Sequence, residues 1–107
     1  MTVTDAVEEA VAELRDAGWD RELDTVVFVV EDAHPQRLRG SYHGVPLPQR
    51  AFGVVCVPST ITLYADRFIG GGAGQVRMVV RHEFGHHVGL SDVGMDRAIR
   101  NPVSAGR

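Results

Sequence analysis

The residues best suited to chemistry are two histidines and a glutamate in the order His-Glu-x-x-His. They are His82, Glu83 and His86, a spacing typical of zinc sites in which two imidazoles hold one ion. Residues four apart lie on one face of a helix, one turn above each other, so both rings can reach the same ion. Glu83 lies about 100° further round the helix. This position suits a group that contacts a metal-bound water and not a third ligand.

The residues after this motif offer a third ligand. Gly89 follows His86 by three positions and can take the positive φ that turns a chain sharply. Asp92, three residues further on, can then fold back with a carboxylate oxygen toward the same ion. Ser91 or Asp92 would equally serve as the N-cap of a following helix. The alternative third ligands are Asp96 and His43.

This ligand set predicts a reaction. Three protein ligands leave the fourth position of a tetrahedral Zn²⁺ ion open for water, as in catalytic zinc sites. Binding to zinc lowers the pKa of that water to about 7. Glu83 would accept the proton, the hydroxide would attack a carbonyl carbon, and Glu83 would give the proton to the leaving amine. The expected reaction is hydrolysis of an amide bond.

The motif also carries a family resemblance. His82–Asp92 matches H-E-x-x-H-x-x-G-x-x-D, a signature in which aspartate replaces the more common third histidine. With Ile61–Tyr64 (ITLY), Val29–His34 (VVEDAH) and the short length, the chain resembles the minimal zincin-like metallopeptidase domains of bacteria from about Val26 to Met95. The resemblance implies zinc ligation by His82, His86 and Asp92, with Glu83 as general base and acid.

The same resemblance implies an α+β fold. A small mixed sheet would pack on the active-site helix, with further helices at the N- and C-terminal ends. The strand before the active-site helix would border the substrate cleft. Thr60–Asp66 alternates apolar and polar residues, which predicts a half-exposed strand and allows an edge position. An extended peptide could then pair with its main chain.

The remaining elements are predicted from the spacing of apolar residues and from the residues that begin or end helices and strands. The first helix would be capped by Thr4 and ended by Gly18, the second would cover Gln75–Val88, and the last would cover about Ser91 to Arg100. The β-branched run Thr25–Glu31 predicts a buried strand, and Phe52–Val57 predicts a short one. The two remaining segments are a long loop over Asp32–Pro48 and a glycine-rich hinge over Ile69–Gly74.

Other residues suit structural roles better than chemical ones. His87 lies about 140° round the helix from His82, so packing or support of the site is expected. Met95, Trp19 and Leu23 are candidates for the core, and Cys56 is expected to be a buried strand thiol. The candidate donors to a developing oxyanion are Tyr64, Tyr42 and His43.

Composition limits the possible classes of protein. With 107 residues, 44% of them hydrophobic, and a net charge of −3, we expect one globular domain over residues 1–107. A single cysteine and no signal-like apolar segment favour a reduced, cytoplasmic setting. No apolar run approaches the roughly 20 residues that a membrane span needs. All eleven basic residues are arginines, scattered along the sequence, which gives little basis for binding nucleic acid.

The sequence thus predicts a Zn²⁺-dependent hydrolase whose substrate is a peptide or an unfolded protein. Two alternatives remain open. A zinc-stabilised binding module would keep the metal ligands but would have no use for Glu83. A zinc hydrolase of non-peptide amides would share every residue of the site, and only its substrates would distinguish it.

Overall fold

The sheet has three strands in the order β1-β3-β2. The computed structural model describes residues 2–50 and 57–100, in which β1 spans Val26–Glu31, β2 spans Gly40–His43 and β3 spans Ser59–Tyr64. β1 runs parallel to β3, and β2 runs antiparallel to it. These strands form the small mixed sheet that was expected.

Helices cover this sheet and one another. The described helices are α1 (Val3–Asp16), α2 (Asp20–Leu23), α3 (Ala73–Val88) and α4 (Asp92–Arg100), with 3-10 turns at Leu47–Gln49 and Ala65–Phe68. α3 packs against α1, α4, β2 and β3, so it lies at the centre of the fold. Among the described helices, none combines the length and apolar character that a membrane span requires. The three-stranded sheet and the helices packed on it confirm the α+β class predicted from the sequence.

The core forms where α1, α3 and the sheet meet. Phe84 of α3 is fully buried, and its ring meets that of Trp19 edge to face at a centroid distance of 5.8 Å. Trp19 and Leu23 are both 7% exposed and belong to this core, as predicted. Five side chains at its centre are fully buried: Leu14, Ile61, Leu63, Val80 and Phe84.

The start of α1 differs from the prediction. The N-cap is Thr2, so the expected cap at Thr4 is wrong. The Thr2 hydroxyl accepts a hydrogen bond from Asp5 N, and the Asp5 carboxylate accepts one from Thr2 N, both at 3.1 Å. This reciprocal pair satisfies two amides that would otherwise lack partners, which a cap at Thr4 would not do. At the other end, Gly18 has φ +95°, as predicted for the residue that ends the helix.

Two strands exchange the positions that the sequence predicted. β1 was expected to be buried but lies at the edge of the sheet, and Val27 is 48% exposed. The Thr60–Asp66 segment was expected to be half-exposed, yet β3 is the central strand and five of its six residues are buried. β2 explains the exchange, because it occupies the side of β3 that the prediction left free.

β2 itself lies inside the segment that was predicted to be a loop. Asp32–Pro48 contains the four-residue strand Gly40–His43 and the start of a 3-10 turn. The surrounding glycines and prolines hide this strand, because it is too short to show an alternating pattern. The predicted strand Phe52–Val57 and Cys56 lie outside the described residues, apart from Val57, which is exposed before β3.

Candidate active site

α3 brings the two motif histidines together on its exposed face. Nε2 of His82 lies 3.2 Å from Nε2 of His86, and the rings are nearly perpendicular. Two nitrogens at about 2.0–2.1 Å from a tetrahedral ion would be separated by about 3.3 Å. The pair is therefore spaced to share one zinc ion, and the same spacing allows a hydrogen bond between neutral rings.

Glu83 completes this cluster. One ligand atom from each of His82, Glu83 and His86 lies within 4.8 Å of the others. Glu83 is only 7% exposed, and its carboxylate has no hydrogen bond or ion pair among the described residues. A carboxylate without partners is costly to hold in a partly buried position. Its position beside two exposed imidazoles is what a functional group, and not a structural one, would occupy.

Asp92 lies next to the cluster on the far side of one ring. Its Oδ1 is 2.9 Å from Nδ1 of His82, whereas the clustered ligand atoms are those of His82, Glu83 and His86. Ser91 is the cap of α4, because Gly94 N donates to Ser91 Oγ at 3.1 Å. Asp92 is thus not needed as the cap. Its carboxylate is free to bond the imidazole and to hold Nε2 of that ring toward the cluster.

Two glycines allow the chain to fold back from α3 to α4. Gly89 has φ +81°, as predicted for the residue after the helix. Gly85 lets the returning chain approach closely, since a Cβ there would lie 2.7 Å from the carbonyl oxygen of Leu90 and 3.1 Å from Met95 Cγ. Met95 is 1% exposed and packs in the core beneath α3. Gly85 was not singled out from the sequence, although a glycine inside a helix signals a close approach.

We expect Gly85→Ala to lower the free energy of unfolding of the metal-free protein by about 1–3 kcal/mol, because the new methyl group overpacks the contact with Leu90. Alanine has the higher helix propensity by about 1 kcal/mol, which offsets only part of this loss. Gly74→Ala is the matched control in the same helix, since a Cβ there would meet no atom within 4 Å. It should leave stability unchanged or slightly raised. Urea denaturation would measure both, and a Gly85→Ala protein as stable as wild type would refute the steric role.

His87, which directly follows His86 in the sequence, has a different environment. His87 is fully buried, and its ring nitrogens lie 2.7 Å from Thr25 Oγ1 and 2.6 Å from Tyr42 Oη. One nitrogen of a neutral imidazole donates and the other accepts, so the neutral ring satisfies both contacts. His87 thereby ties the active-site helix to β2 and to the segment before β1. The structure places it in packing and support, outside the cluster of His82, Glu83 and His86.

The stability of the fold should depend on pH through His87. Burial, and next the positive charge of Arg50, lower the pKa of His87 to about 4, while the backbone of Glu22 acts in the opposite direction. In the unfolded chain the pKa of this imidazole is near 6.5, so the unfolded state binds the proton at a higher pH than the folded state does. The free energy of unfolding therefore falls as pH drops from 6.5 toward 4. For metal-free protein we expect a loss of about 3 kcal/mol between pH 7 and pH 4 that His87→Gln does not show. Equal losses in both proteins would disprove the assignment.

A groove passes over Glu83 between β2 and α3. It consists of two cavities of about 600 and 1230 Å³, and both are lined by Gly40 and Glu83. The smaller one extends along Ser41 and Tyr42 of β2 toward His86. No residue of β3 lines either cavity. The expectation that the strand before α3 borders the cleft is therefore wrong, as is pairing of a peptide with Thr60–Asp66, because β3 is already paired on both sides.

The other predicted candidates are not members of the cluster, although Tyr42 and Asp96 line the groove near it. The hydroxyl of Tyr64 bonds with Ser41 at 3.0 Å, and that of Tyr42 points toward His87. His43 is exposed at the end of β2 and lines neither cavity. Asp96 is paired with Arg81 and Arg100. None of these side chains joins the group of His82, Glu83 and His86.

The larger cavity contains a feature that the sequence did not reveal. Five of the eleven arginines line it: Arg37, Arg39, Arg67, Arg81 and Arg100. They come from the loop before β2, the turn after β3, and the helices α3 and α4. Their sequence separation made them look scattered, whereas the fold brings them to one side of the groove.

Comparison with known protein families gives one match. A family model described as zincin-like metallopeptidase matches residues 7–100. That range includes every described strand and the whole of α3 and α4. A search of curated proteins gave no match.

Proposed function

We propose that this chain, which belongs to the zincin-like metallopeptidase family, hydrolyses peptide bonds in extended polypeptide with a bound zinc ion and Glu83 as general base. The family supports a zinc metallopeptidase in general terms. The observation that carries the specific proposal is the convergence of His82, Glu83 and His86 in a groove, with a nearly buried carboxylate that has no described partner.

His82 and His86 are the residues that would hold the metal through Nε2. Asp92 is the proposed third ligand. Its exposed carboxylate lies beside the His82 ring, on the side opposite Nε2, and His82 is its one partner among the described residues. Neutral imidazoles and a carboxylate are a donor set that suits zinc. When bound, zinc supplies a Lewis acid and an acidified water.

Glu83 is the proposed proton carrier. Its carboxylate oxygen accepts a proton from the attacking water and then donates that proton to the nitrogen of the leaving amine. The position on α3 supports this role, since Glu83 follows His82 directly yet points into the groove shared by both cavities. Without an ion pair to a neighbouring arginine or histidine among the described residues, the carboxylate is free to exchange the proton.

The groove favours a peptide over a small amide. β2 lies at the edge of the sheet, so its outer main-chain groups have no strand partner among the described elements. An extended peptide can add to such an edge through main-chain hydrogen bonds. Gly40, Ser41 and Tyr42 of this strand line the groove beside Glu83, which would place a paired peptide next to the cluster.

The test is hydrolysis of unstructured peptides by zinc-loaded protein, with the products identified by mass spectrometry. We expect cleavage at internal peptide bonds that stops with a chelator and returns with zinc. Tight zinc binding without cleavage of any peptide would overturn the proposal in favour of a zinc-stabilised binding module. Cleavage confined to non-peptide amides would overturn the substrate class alone.

A further inference from the structure

The arginine-lined half of the groove has an excess of positive charge. Arg81 is paired with Glu13 at 2.9 Å and with Asp96 at 3.6 Å, and Arg100 is paired with Asp96. Three other arginines in this cavity have no acidic partner among the described residues: Arg37, Arg39 and Arg67. Within residues 2–50 and 57–100, no group accepts a hydrogen bond from the buried Nε of Arg67.

The acidic residues of the cavity do not neutralise these three. Asp96 is occupied by Arg81 and Arg100, and Asp92 bonds His82. Glu83 lies at the junction of the two cavities, where the reaction is proposed to occur. A buried, unpaired N–H is costly, and the terminal nitrogens of a guanidinium group without an acidic partner are well suited to bind a carboxylate with paired hydrogen bonds.

Apolar side chains lie between the charges. Met78 and Val93 line the same cavity and are 71% and 68% exposed. Phe68, which is buried, also contributes to its wall. Such a surface fits a substrate residue whose methylene groups contact apolar atoms while its carboxylate reaches the arginines. A short acidic side chain on an extended chain has this form.

We propose that the enzyme selects substrates carrying a carboxylate close to the bond that is cleaved, and that Arg39 and Arg67, with Arg37, bind this group. The inference rests on the proposed peptidase function and names the substrate class of the same groove. Because His82 and Glu83 line the cavity together with these arginines, the carboxylate belongs to a residue within a few positions of the reacting bond. It comes from an aspartate or glutamate side chain, or from the C-terminus of a short substrate.

The test measures binding separately from turnover. Zinc-loaded Glu83→Gln protein would be titrated with a fluorescent peptide that has one glutamate moved along successive positions, against the same peptides with glutamine. At one or more positions we expect glutamate to bind about three- to tenfold more tightly, with a preference that weakens at high salt. Arg39→Gln and Arg67→Gln should each reduce this preference for glutamate. Arg21→Gln should not reduce it, because Arg21 is exposed and lies outside the cavity.

A comparison of peptides with a free or an amidated C-terminus separates the two sources of the carboxylate. Equal binding of glutamate and glutamine peptides, with no gain from a free C-terminus, would overturn the proposal. A preference that survives both arginine substitutions would also overturn it, since the carboxylate would then bind elsewhere. The same titrations with metal-free wild type keep the binding result independent of hydrolysis. Arginine-dependent binding there, together with zinc-loaded wild type that cleaves none of these peptides, would defeat the peptidase function and leave the carboxylate site standing.

Discussion

Glu83→Gln should lower kcat for peptide hydrolysis by about 10²–10⁴-fold while zinc remains bound. Glutamine has nearly the same shape but cannot accept and return a proton, which is the contribution expected of a general base. Because Glu83 has no ion pair or hydrogen bond among the described residues, the substitution breaks no contact of the fold. Zinc content should therefore match that of wild type, and stability should be equal or slightly higher, because an unpaired carboxylate in this position is costly to hold.

Glu9→Gln is the matched control, because Glu9 is an exposed residue of α1 and its substitution should leave kcat unchanged. Steady-state kinetics on one cleavable peptide, with zinc content measured on the same samples, provides the comparison. A Glu83→Gln enzyme with wild-type kcat would show that another group moves the proton. Such a result would leave the metal site intact but would remove Glu83 from the mechanism.

His86→Ala should abolish tight zinc binding. Loss of a neighbour that only orients a ligand costs about 10–100-fold in metal affinity, and we expect removal of an imidazole ligand to cost more than that. The exposed position of His86 means that the truncated side chain leaves no cavity in the core. Zinc affinity measured by competition with a chromophoric chelator would give the difference. His43→Ala, an exposed histidine outside the cluster, should bind zinc as wild type does.

Asp92→Asn separates the two roles that the geometry allows for Asp92. Asparagine can still accept a hydrogen bond from Nδ1 of His82, but it is a poor replacement for a carboxylate ligand. If Asp92 ligates zinc, the variant should lose affinity to a degree similar to His86→Ala. A loss within the 10–100-fold range would instead assign Asp92 to orienting His82, in the contact that the structure shows.

Local signals identified the helices of the site correctly. Helical spacing of His82 and His86, together with Gly89 at the left-handed position, predicts the end of α3. The sequence left Ser91 and Asp92 as equal candidates for the α4 cap, and the hydrogen bond from Gly94 decides for Ser91. Such features depend on residues a few positions apart, which is why they are readable without a structure.

Features that depend on distant residues were not readable. The exposed or buried character of β1 and β3 is set by which strands flank them, and β2 was too short to be recognised. As a result, the edge strand beside the groove was assigned to the wrong segment. The arginine cluster has the same origin, since Arg39 and Arg67 are 28 residues apart in the sequence. They line one cavity because Arg39 precedes β2 and Arg67 follows β3, the strand with which β2 pairs.

The most direct test of the zinc site is the metal content of tag-free wild-type protein, purified without added metal and measured by mass spectrometry under native conditions. We expect about one zinc ion per chain, held by the histidine pair. Protein that carries no zinc, and that neither binds added zinc tightly nor gains thermal stability from it, would contradict the assignment of His82, His86 and Asp92 and the peptidase function that depends on them.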